Sequence, residues 1–106
     1  MAKYLITASY SADGLKGLRK DKASGRREAV RQACESMGGR LESFYYAFGE
    51  DDVVVIADLP DNVAASALSL AASATGLVRT KTTALLTVEE TDKALAATVA
   101  FRAAGT

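Results

Sequence analysis

Residues 53–57 read Val-Val-Val-Ile-Ala, five consecutive apolar positions with β-branched side chains at the first four. Branching at Cβ stiffens χ1 and suits a pleated strand better than a helix. Successive side chains on a strand point to opposite faces, so an unbroken apolar run has no wet side. This strand therefore needs cover both above and below, as a central strand of a layered sheet does. A chain of 106 residues is the size of one domain and buries limited area by itself. Part of the cover is therefore expected from self-association.

The other segments arrange themselves around that strand. Residues 3–10 (KYLITASY) form another strand pattern, with Tyr4, Leu5 and Ile6 consecutive and apolar. Ser11 or Asp13 caps a short helix through Lys20, residues 21–25 read as a break, and Ser24 caps a longer helix to Met37. Val30, Cys34 and Met37 give that helix an i, i+4, i+7 apolar stripe, and Gly38-Gly39 ends it. Residues 40–48 are a second strand, partly polar, joined to 53–57 through the short Gly49-Glu50-Asp51-Asp52 link of a hairpin. Asp61 caps a helix from Asn62 that carries no charge through Val78, and Gly76 closes it. A helix without charge is packed closely on several sides or belongs to an interface. Residues 79–88 are a fourth strand, polar first and apolar later. Thr87 and Glu90 then fit a capping box for a C-terminal helix over about 88–103.

The order β-α-β-β-α-β plus a helix is the ferredoxin-like pattern, an α+β sandwich with a four-stranded antiparallel sheet. Right-handed crossovers put strands one and three in the centre, matching their continuous apolar character. Two helices cover one face. The C-terminal helix or a second subunit's sheet must cover the other. No linker or second domain interrupts residues 1–106.

Composition narrows the function classes. The chain has no His, which removes His-based triads and His-ligated metal sites. Thirteen basic residues balance thirteen acidic ones, which argues against a nucleic-acid partner. The balance is uneven along the chain. Residues 1–41 hold nine Lys/Arg and four Asp/Glu, and residues 42–106 the reverse, as solvated faces or as complementary surfaces of neighbouring subunits. A single Cys permits no intrachain disulfide and suits a reducing cytoplasm. Residues 1–7 lack the apolar run of a signal peptide, and the stretch 52–59 is too short to span a bilayer. A cytoplasmic location without membrane association is expected.

The chain also resembles the GYD domain family over about residues 3–90. The resemblance runs through Lys3-Tyr4, Gly14-Leu15, Arg26, Gly38-Gly39, Tyr45-Tyr46, Phe48-Gly49, Asp52-Val53-Val54, Pro60-Asp61, Gly76, Thr80, Leu85 and residues 87–90. The family's Gly-x-Tyr-Asp motif stands here as Gly49-Glu50-Asp51-Asp52, with Asp51 in the Tyr position. The resemblance implies a domain of the dimeric α/β-barrel group, in which two sheets pack face to face. That group includes monooxygenases, isomerases and haem enzymes, and fold alone does not choose among them.

The residues offer few reactive groups. Cys34 on the apolar stripe reads as a buried thiol. Tyr45 and Tyr46 must face opposite sides of their strand, one under a helix and one toward the barrel interior. Asp51 and Asp52 read as turn formers, with proton transfer as the alternative. Arg26 and Arg27 begin a helix, where the dipole disfavours cations; a solvated pair is the first reading, and a partner carboxylate across a subunit boundary is the alternative. Arg79 and Lys81 fit an exposed edge strand or an anion site. No Walker loop, GxGxxG, CxxC or GxSxG pattern occurs. The leading expectation is a homodimer or higher homo-oligomer with a small-molecule cleft between sheet and helices, using no metal and no cofactor. Its ligand contacts would be Arg79, Tyr46 and Thr7. The alternative is a cofactor-independent monooxygenase or isomerase acting on a small aromatic or anionic metabolite, with Tyr46 and Asp52 moving the proton.

Overall fold

The sheet order explains most of the sequence pattern. The computed structural model describes all 106 residues. It runs β1 (Ala2–Tyr10), α1 (Ala12–Ser36), β2 (Arg40–Tyr46), β3 (Val53–Leu59), α2 (Asn62–Ala74), β4 (Val78–Leu85) and α3 (Val88–Ala96). The strands lie in the order β2-β3-β1-β4, every neighbouring pair antiparallel. This is the ferredoxin-like α+β arrangement, with the two most apolar strands in the centre.

Alternation sorts the side chains. Ile6 stands opposite Val55, and Tyr4 opposite Ala57. These four turn toward the helices and, with Val53 and Leu59, form the floor of the core. Cys34 from α1 and Ala64 and Ala65 from α2 close over it. The intervening residues Leu5, Val54 and Ile56 lie on the other face and remain half-buried. Beside them on β2, Tyr45 is 69% exposed. The doubly apolar run is thus covered on one side only.

Local chemistry sets the helix ends. The Ser11 hydroxyl accepts from the Gly14 N–H, and the Asp61 carboxylate accepts from the Ala64 N–H at 2.9 Å. Gly38 takes φ +78°, and the Gly39 N–H returns to the Cys34 carbonyl, which closes α1. The Thr87–Glu90 capping box is present in both directions.

Three details differ from the sequence reading. The break expected over 21–25 contracts to one residue. Lys22 has φ 67° and ψ 165° inside α1, and Ser24 lies within the helix instead of capping one. Gly76, at φ +73°, follows the C-cap Thr75 and closes α2 as expected, but the outer strands are shorter: β2 ends at Tyr46, short of 48, and β4 ends at Leu85, short of 88. The C-terminal helix ends at Ala96, short of 103. The physical reason is that an isolated helix is marginal in water, and α3 has nothing to pack on. Every residue from 88 onward is exposed, Leu95, Val99 and Phe101 among them. The radius of gyration is 16.8 Å, against about 13 Å for a compact chain of this size. α3 and the residues after it therefore do not cover the open face of the sheet.

Candidate functional site

Each crossover places its helix over a different half of the sheet. α1 packs chiefly on β2 and α2 chiefly on β4. Between them, above the central strands, lies a cavity of about 290 Å³. Ile6, Val53 and Val55 form its floor, Val30 and Leu68 its walls, and Phe44 one end. The space exists because the helix positions facing it carry small side chains: Ala29 and Ala33 on α1, Ala71 and Ala72 on α2. Thirteen of its sixteen lining residues are hydrophobic. This is the usual constitution of a small-molecule pocket, an apolar enclosure with few polar groups, at the small end of the range.

The polar groups gather at two edges. At the α2–β4 edge, Ser69 and Thr80 are already engaged, with the Thr82 and Ser73 hydroxyls respectively. At the α1 edge stand Tyr10 and Arg26, and Arg26 is the only charged side chain lining the cavity. Its guanidinium lies 3.6 Å from the Asp21 carboxylate, across the Lys22 irregularity. Tyr46 supports this edge from behind. Its ring meets Phe44 edge-on at 5.2 Å, and its hydroxyl donates to the Ala23 carbonyl at 3.3 Å. Burial, with Tyr10 beside it, pushes the Tyr46 phenol up to about 12, against the pull of Arg26 and Arg27. At neutral pH the phenol is protonated and donates its hydrogen bond.

The residues singled out in the sequence do not converge. Tyr46 lies on the helix side of the sheet, with Tyr45 opposite. Thr7 and Arg79 lie on the open face, two rungs apart along β1 and β4, since Thr7 pairs with Lys81 and Ser9 with Arg79. Neither lines the cavity. The Asp52 carboxylate accepts from the Tyr10 N–H at 2.8 Å, and the Asp52 N–H donates to the Ala8 carbonyl at 2.8 Å. Asp52 thereby ties the hairpin to the end of β1, and only through Tyr10 does it adjoin the cavity. Asp51 lies 3.4 Å from Lys81 on the open face. Cys34 is fully buried, and burial raises its thiol pKa. Arg26 is the residue whose place the sequence reading missed. Its signal was a cation in the opening turn of a helix with no partner four residues on.

Two further observations bear on the class of protein. No three His, Cys, Asp or Glu side chains converge as a metal site requires. No helix is long and apolar enough to cross a membrane. The model of the GYD domain family matches residues 4–95, so the chain belongs to the GYD domain family. No curated protein and no solved structure matches it significantly.

Proposed function

We propose that this GYD-domain chain is a homo-oligomeric domain that binds a small, largely apolar molecule in the cleft between its sheet and its two covering helices. The cavity of about 290 Å³ over the central strands carries this reading. Its apolar walls stand partly open to water and forfeit dispersion contacts that a bound apolar molecule would restore. Here alanines at four facing helix positions keep it open.

The oligomer supplies the second cover that the central strands need. Leu5, Val54, Ile56 and Tyr45 make one apolar band on the open face, and α3 leaves it bare. A second copy's sheet laid on this band would complete a barrel and bury both bands together. Native mass spectrometry of the purified chain tests both parts. The expected result is a dimer, or a multiple of one, carrying extra non-protein mass. A bare monomer at micromolar concentration overturns the assembly. A bare oligomer that also fails to take up the apolar dye N-phenyl-1-naphthylamine overturns the cavity.

A further inference from the structure

We infer that the cavity selects an anionic amphiphile, an apolar body with one carboxylate-like head, and that Arg26 takes the head while Asp21 competes with it. This rests on the cavity reading above and adds the chemical class of the ligand. Among sixteen lining residues Arg26 alone carries charge, and it stands at the polar edge beside Tyr10. The rest of the enclosure offers aliphatic and aromatic surface to the remainder of the molecule. A guanidinium is planar, always charged and weakly hydrated, and it meets a carboxylate through two parallel N–H donors.

Arg26 is poorly placed for stability alone. It lies in the first turn after the Lys22 irregularity, where the helix dipole disfavours a cation. Asp21 is its sole ionic partner, at 3.6 Å, beyond normal hydrogen-bond length. Arg27, the next residue, has no ionic partner, and both arginines act on the Tyr46 phenol. The α1 edge therefore has surplus positive charge at the mouth of an apolar space. Arg79 and Lys81 cannot serve the same ligand, because their strand positions put them on the other face of the sheet.

The test compares two probes with the same eight-carbon chain, octanoate and octan-1-ol. Each is titrated into the full-length protein and followed by ¹H–¹⁵N and methyl spectra. Both should shift Ile6, Val55 and Leu68. Octanoate should bind about tenfold more tightly, the size expected of one partly exposed charge-assisted contact. Arg26→Gln should abolish that preference, so that octanoate and octan-1-ol bind alike. Asp21→Asn should tighten octanoate a few-fold and not octanol, a change that a merely structural Asp21 does not produce. Equal binding of the two probes, or a preference that survives Arg26→Gln, overturns the head-group assignment while the cavity stands. If neither probe moves the cavity resonances, the cavity reading falls and this inference with it.

Discussion

Two glycines in α1 set opposing physical effects against each other within one helix. Replacing Gly by Ala inside a helix is worth about 1 kcal/mol of stability through backbone entropy. At Gly17 nothing lies within 4 Å of an added Cβ, so Gly17→Ala should collect that gain. At Gly14 the added Cβ would stand 2.0 Å from the Leu77 carbonyl oxygen and 3.0 Å from the Tyr10 ring. That oxygen accepts from the Ser11 N–H at 2.9 Å and the Ser11 hydroxyl at 3.2 Å, which moors the start of α1 to the start of β4. Relief needs a shift of about 1 Å, which weakens these two bonds by about 1 kcal/mol in total and adds about 1–3 kcal/mol of overpacking. Set against the 1 kcal/mol gained, Gly14→Ala should cost about 2 kcal/mol net. For a domain of this size Tm should fall by roughly 8–16 °C, while Gly17→Ala raises it by roughly 4–8 °C. The assay is thermal unfolding by circular dichroism at one fixed protein concentration, because association shifts Tm by mass action. A Gly14→Ala variant as stable as Gly17→Ala would refute the mooring of α1 on Leu77.

Three other outcomes follow from single sites. Lys22 holds a conformation (φ 67°, ψ 165°) that only glycine adopts freely, so Lys22→Gly should raise urea resistance by about 1 kcal/mol, and a loss of stability would show that the residue is unstrained. The Asp58 carboxyl is held below the usual carboxylate range by Arg40 first and Lys3 next, at 2.9 and 3.0 Å. Its lowered pKa stabilises the fold above about pH 4, and this is lost as pH falls through the folded-state value. Urea midpoints between about pH 5 and pH 2 should therefore drop less steeply for Asp58→Asn than for the parent chain. Burial raises the Cys34 thiol pKa and shields it, so a thiol reagent should label it only at the rate of unfolding, and immediate labelling of the native protein contradicts its place on the core face of α1.

What the sequence made legible was what one element decides alone. The run 53–57 announced a central strand, and Asp61, Gly38 and the Thr87–Glu90 pair marked helix ends that the structure keeps. Outcomes that depend on two elements meeting were not legible. The end of α3 is one, since the Ala-rich composition favours helix to 103, but no partner surface holds it past Ala96. The faces of Tyr46, Thr7 and Arg79 are another. Alternation fixes parity within a strand, but only the register between strands says that Tyr46 faces the helices and the other two do not. The alanines of α2 show the limit most clearly. A small side chain marks either close approach or empty space, whereas the sequence reading weighed close packing or an interface for this charge-free helix. Because β2 and β4 lie at opposite edges, the helices packed on them are held apart, and the same alanines become walls of a cleft. Ala72→Leu and Ala33→Leu therefore measure which meaning holds: in a cleft they fill space and displace octanoate with stability kept, whereas at a close contact each would cost about 1–3 kcal/mol.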